Sequence, residues 1–280
     1  MPATLEKDSP KLKNFGGYRS KSGVVAQPVK VSYALQERYR KRLNKLIDEM
    51  TASTLYWLKA AYKRNLPEIT GDESPVNEIK ETFGGLLKRW LGKFMKAAAV
   101  LATGIVVDVS EDTTARLKTS FKNAVGVAPM PKKTRAFDNK IQAAIAENVA
   151  LIKTIPEKYF RDIEVLVYQS VSEGRDIQYL TEQLQERYKV TRNRAKIIAY
   201  DQVAKINETI AIQRAEDLGV KKGIWLHSGA GKEPRQSHVK ANGDEFDLDK
   251  GKFIDNEWIL PGQKINCRCT FLPVVPLFGG

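Results

Sequence analysis

The sequence predicts a mainly α-helical protein, a multi-helix N-terminal and central body followed by a small α+β C-terminal unit. Three observations predict it. Apolar residues recur at three- and four-residue spacings over most of residues 31–218, which is the helical period. That period is lost after Gly219, where Gly, Asn, Asp and Pro become frequent. Two short runs beyond it, 224–226 and 267–272, read as strands separated by loops. A chain of 280 residues with 42% apolar content can bury one large core or two smaller ones.

Taken in order, residues 1–30 scatter Lys7, Lys11, Lys13, Arg19, Lys21 and Lys30 among Gly, Ser and Pro without periodicity, which predicts a mobile basic arm. A helical body is expected over 31–190. Its first helix, 31–65, carries Tyr33, Leu35, Tyr39, Leu43, Leu46, Ile47 and Met50 as an apolar stripe, with Arg38, Arg40, Lys41, Arg42 and Lys45 between them. Residues 66–75 read as a loop. Helices are expected at 76–103 and 110–124, the first weakened by Gly84 and Gly85. After a Pro-containing break at 127–133, a helix over 135–155 should be followed by one that opens at Pro156 and stops at Gly174. A short helix at 177–188 completes the body. The C-terminal module, 191–280, begins with a long helix capped by Thr191 and stopped by Gly219, and continues as short strands and loops.

The net charge of +13 is unevenly spread: residues 1–65 hold 14 Lys/Arg against 5 Asp/Glu. A local basic excess favours a polyanion, and Lys11, Lys13, Arg19, Lys21, Arg38, Arg40, Lys41, Arg42 and Lys45 are the candidate phosphate contacts. The plainer alternative for the helical ones is a solvated face opposite a core stripe. The two Cys are separated by one residue, which is no disulfide framework and suits a reducing compartment such as a bacterial cytoplasm. No apolar run is expected to span a membrane; 97–107 reads as a buried helical segment.

The most informative residues lie in the last 90. In order they are Arg194-Ala195, Asn207, Leu218-Gly219-Val220, Trp225, Pro234-Arg235, Ser237-His238, Asn242-Gly243, Phe246, Pro261-Gly262 and Asn266-Cys267-Arg268-Cys269. This ordered set resembles the head morphogenesis family of tailed phages typified by the F protein of phage Mu. A looser resemblance reaches upstream through Glu147-Asn148, Leu151-Ile152 and Ile155-Pro156. The chain departs from the family pattern at Tyr200-Asp201, where Thr-Glu is frequent, and at 229–233, where an acid often precedes the Arg-x-x-His step. The resemblance implies a minor head protein of the virion, inside the head near the portal, and in the host cytoplasm during assembly. Its implied partners are the portal protein, capsid or scaffold protein and packaged double-stranded DNA, with no membrane. It does not imply a settled enzymatic activity.

His238, Cys267 and Cys269 are a candidate zinc set, since Cys267 and Cys269 alternate in phase and zinc accepts Cys and His; a fourth ligand could come from His227, Asp244 or water. The alternative is a small buried Cys pair beside a hydrogen-bonded His, with no cofactor. Arg235 and Arg268 suit internal carboxylates or carbonyls, with Asp244, Glu245 and Asp247 as partners, and Asn242-Gly243 suits a turn. Trp225 suits the core. Ser237 beside His238 makes no catalytic triad by adjacency, and no Gly-x-Ser-x-Gly elbow occurs. A metal-dependent nuclease or a peptide or peptidoglycan hydrolase built on His238, Asp244 and the Cys pair is the enzymatic alternative.

Overall fold

The computed structural model describes residues 19–20, 23–64, 75–128, 130–172, 177–229 and 233–276. Their order is β1 (Arg19–Ser20), β2 (Gly23–Val25), α1 (Tyr33–Arg64), α2 (Pro75–Val125), α3 (Arg135–Ser172), α4 (Ile177–Asp217), β3 (Lys222–Leu226), α5 (Gln236–Lys240), β4 (Glu245–Asp247), β5 (Lys252–Ile254), β6 (Glu257–Ile259) and β7 (Thr270–Val275). The protein is mainly helical with a small C-terminal β unit, as the loss of helical period after Gly219 indicates.

The helices are fewer and longer than their sequence signals. Gly84 and Gly85 are exposed, and α2 runs straight through them and through the break expected after Thr103. Two helical glycines together cost about 1–2 kcal/mol. That cost is offset where Phe83, Leu86, Trp90 and Phe94 are buried on the same helix. Pro156 lies inside α3 and does not open a new helix. It removes one main-chain donor, but Ile152, Ile155, Tyr159, Phe160 and Ile163 are buried on either side of it. Thr191, expected as a cap, sits within α4 and returns its hydroxyl to the Arg187 carbonyl (2.7 Å). The boundary expected at residue 190 therefore falls inside an unbroken helix. The Gly219 stop is present in full. Gly219 has φ of 83°, its N–H donates to Glu216 O (2.8 Å) and the Val220 N–H to Ala215 O (3.0 Å), a Schellman closure.

The unbroken α2 also changes the reading of its apolar content. Lys80–Val125 includes a stretch long and apolar enough to cross a membrane by length and composition, where only a short buried segment was expected. Phe94, Ala98, Ala102, Ile105, Val106 and Val109 on it are buried at helical spacing, while Met95 and Val100 are exposed.

The chain divides into two compact units. One, Gln36–Gly104 with Ile145–Tyr200, is helical. Tyr39, Leu43, Ile47 and Met50 from the expected α1 stripe are buried there, and the buried Tyr39 hydroxyl donates to Asn148 Oδ1 (3.0 Å). Tyr33, counted in that stripe, is exposed.

The other unit, Met1–Leu35 with Ile105–Ala144 and Asp201–Gly280, holds the sheet. Its five strands run in the order β1-β2-β7-β3-β4, each antiparallel to its neighbour. β7 starts at Thr270, three residues later than the strand expected from Cys267. β2 corrects the expected arm: Gly23–Val25 are buried and pair with β7 through Val24↔Val275 and Val25↔Val274. On one face of the sheet, Trp225, Phe246, Phe271 and Val275 pack in one core with Leu117 and Phe121 of α2 and Ala211, Ile212 and Ala215 of α4. Val25, Ile224, Leu272 and Val274 form a second, smaller cluster, as the strand alternation requires. β5 and β6 form a separate hairpin whose turn residues Asp255 (φ 52°) and Asn256 (φ 64°) both take the left-handed conformation of a type I′ turn.

Candidate functional site

The motif residues converge on one place in the sheet-bearing unit. β3 carries Trp225 with its side chain fully buried. The following chain returns to β3 through the Asn242-Gly243 turn. The Gly243 N–H donates to Trp225 O (2.8 Å), the Trp225 N–H to Asp244 O (2.8 Å), and the His227 N–H to the Asn242 side-chain oxygen (2.9 Å). Gly243 has φ of 85°, which explains a glycine there. This clamp positions α5, and α5 delivers His238 edge-on to the Trp225 ring, with centroids 5.4 Å apart. Trp225, Phe246 and Phe271 continue as edge-to-face contacts at 5.9 and 6.4 Å.

The Asn-Cys-Arg-Cys segment approaches from the other side. Asn266 has φ of 58°, a conformation that Asn tolerates better than most residues. Its N–H donates to Asp201 Oδ1 of α4 (2.5 Å), and the Cys267 N–H closes a turn onto Lys264 O (2.9 Å). Asp201, a departure from the family pattern, thus holds this turn in place. Cys267 and Cys269 then point inward and are buried, while Arg268 points out and is exposed. Both sulfurs meet His238 Nδ1, at 3.4 Å for Cys267 and 3.6 Å for Cys269. The three candidate ligand atoms lie within 4.8 Å of one another.

The local electrostatics separate the two thiols. Cys267 is lowered because the Cys269 thiol and the backbone N–H groups of Cys269 and Gly262 donate toward its sulfur, against the penalty of burial. Cys269 is raised, first by donating to Cys267 and then by burial, although the Trp225 indole and the Ser228 N–H oppose this.

Sequence reasoning missed Glu208. It lies on α4 and is fully enclosed, its carboxylate accepting from the Thr270 hydroxyl (3.0 Å) and the Asn207 amide (3.1 Å). Asn207 also donates to Val29 O (3.0 Å) and accepts from Thr113 (2.9 Å). Burial pushes the Glu208 carboxyl up to about 8 despite the Thr270 and Asn207 hydrogen bonds. Gly262 (φ 75°) leaves room for it: a Cβ there would sit 2.6 Å from Glu208 Cγ. A mid-helix Glu in a polar run gives no sequence signal of burial; the glycine of Pro261-Gly262 was the available clue.

Other assignments change. Arg235 donates to Ile265 O (3.0 Å), tying the start of α5 to the Cys-bearing turn; its expected acidic partners are taken elsewhere. Asp244 pairs with Lys252 (2.9 Å) and Asp247 with Lys222 (2.9 Å). The Ser237 hydroxyl donates to Asp255 Oδ2 (2.8 Å), away from His238. Pro234 is exposed and Pro261 is buried.

The candidate phosphate contacts are not brought together as a set. Lys11, Lys13 and Lys21 lie outside the described residues, and Arg19 opens β1. Arg38, Lys41, Arg42 and Lys45 are exposed, and the 3.6-residue period puts them on one face of α1. Arg40 is removed from that face. Its fork closes on Glu37, with Nη2 to Oε2 at 2.6 Å and Nε to Oε1 at 3.0 Å, and Tyr200 also donates to Glu37.

Comparison with known proteins finds a family to which this segment is similar. Residues 161–272 match the model of the family described as Phage Mu protein F like protein. An uncharacterized protein of Haemophilus influenzae is 27% identical over 258 residues, which cover 89% of this chain. The chain spans about half of that relative, 55% of its length. No solved structure matches. The residues gathered around His238, Cys267 and Cys269 all fall inside the matched segment, so the C-terminal part of this chain is similar to the phage Mu F-like family.

Proposed function

We propose that this chain is a minor head protein of a tailed phage, acting in head morphogenesis close to the portal, with its basic N-terminal region in non-specific contact with packaged DNA. The observation that carries the reading is the family match over residues 161–272, together with the motif residues it covers, which build one compact scaffold. In that scaffold Arg235, Asn242, Gly243 and Asn266 are used for internal geometry. Such a module suits assembly onto portal, capsid or scaffold protein. The DNA contact is supported by the 14 Lys/Arg against 5 Asp/Glu in residues 1–65 and by the exposed Arg38, Lys41, Arg42 and Lys45. A hydrolase reading is disfavoured by the burial of His238, Cys267 and Cys269 in the core, where a polymer substrate has no approach.

Phosphate-dominated binding is salt-dependent. With about five phosphate contacts, affinity for duplex DNA should fall on the order of 10²- to 10³-fold between ~50 and ~200 mM salt. A gel-shift titration of the full chain and of a variant lacking residues 1–22 reads this directly. Binding that is insensitive to salt, or unaltered by the deletion, would remove DNA from the proposal and leave the portal and capsid contacts, which a pull-down after nuclease treatment reads separately.

A further inference from the structure

We propose that His238, Cys267 and Cys269 form a structural zinc site that locks α5 to the turn preceding β7. Three observations converge on it. First, two sulfurs lie 3.4 and 3.6 Å from the same atom, His238 Nδ1. Once Cys269 donates to Cys267, only one thiol proton is left for that nitrogen, yet both sulfurs converge on it. A tetrahedral zinc with Zn–S of about 2.3 Å and Zn–N of about 2.0–2.1 Å separates S from N by roughly 3.6 Å, which is the spacing found here.

Second, the surroundings are built for thiolates. The Cys267 sulfur is faced by the backbone N–H groups of Cys269 and Gly262, and the Cys269 sulfur by the Ser228 N–H and the Trp225 indole. The indole nitrogen is buried and satisfies no ordinary hydrogen bond, so a thiolate beside it would give it an acceptor. Donors aimed at ligand atoms are what orient metal sites and tune them.

Third, Cys267 and Cys269 lie in an apolar core with Trp225, Phe271 and Ile259, and the buried His238 ring packs on Trp225, where unmatched polar atoms are costly. The left-handed Asn266 and the Asp201 contact hold the Cys-x-Cys segment in the conformation that turns both sulfurs the same way. The Cys₂His set selects zinc over hard cations. The fourth position is left to water, since the clustered ligand atoms are those of His238, Cys267 and Cys269.

The test uses the full chain purified under reducing conditions. Elemental analysis should find stoichiometric zinc, bound in place of thiol protons. Chelation followed by cobalt(II) should give the intense thiolate-to-cobalt absorption of a tetrahedral sulfur site. Zinc should also slow reaction of the two thiols with a chromogenic disulfide. Cys269→Ser and His238→Ala should each abolish the cobalt band. Because these variants could fail to fold, the deciding measurement is on the unaltered protein. Folded chain that takes up neither added zinc nor cobalt, with thiols equally reactive with and without metal, overturns the proposal. So does stoichiometric iron in place of zinc.

Discussion

Glu208 sets a residue-scale expectation. Burial holds its carboxyl at about 8 in the folded protein against an ordinary 4.5. A folded group that binds its proton more tightly than the unfolded chain contributes stability that is full below the lower value and is lost as pH rises through the higher one. Glu208→Gln removes the titration while keeping the side-chain shape. Urea unfolding should therefore show wild type losing stability from about pH 5 to about pH 8.5 relative to the variant, and the two slopes should be parallel if the carboxyl is not enclosed. Asn266 sets a second. Its left-handed backbone should accept Gly almost without cost, whereas Asn266→Val should destabilise by about 1–2 kcal/mol. Equal stability of the Val variant would show that this turn is not fixed. These two residues also mark how the site was and was not legible. The order of Asn266, Cys267 and Cys269 was visible because the motif is local. Glu208 and Asp201 were invisible as partners because each acts across more than sixty residues of chain.

Helix length is where sequence and structure part at the scale of elements. Gly84-Gly85, Pro156 and Thr191 are all local signals for breaks or caps, and α2, α3 and α4 pass through each of them. Local propensities of a few kcal/mol at most lose to burial of Phe94, Phe121, Tyr159, Phe160 and Ile163. Gly219 differs because its signal coincides with the end of the apolar stripe, and there the prediction and the fold agree. The strand at Gly23–Val25 could not be read because three residues beside a basic segment have no period to measure; only pairing with β7 defines it. The helical glycines give a direct test. A Cβ at either Gly84 or Gly85 meets nothing within 4 Å. Gly84→Ala and Gly85→Ala should each raise stability by about 0.5–1 kcal/mol, seen as a higher melting temperature. A lower melting temperature would mean that α2 is not helical there.

At the scale of the whole molecule, the family resemblance and the charge distribution speak of different regions. The phage Mu F-like match covers residues 161–272, while the basic excess lies in residues 1–65. The C-terminal module is the scaffold closed around the proposed zinc, and contact with DNA is proposed for the N-terminal region. Fold class and family were legible because periodicity and motif order survive in a single sequence. The division into two units was not, because each unit is assembled from separated segments of chain. The proposed role as a head protein is open to direct measurement. The measurement is quantitative mass spectrometry of purified, nuclease-treated heads produced with the gene present, with cross-linking to identify neighbours. The expected result is the intact chain in the heads at far fewer copies than the major capsid protein, cross-linked to the portal. Its absence from heads that package DNA and mature normally without it would contradict the claim.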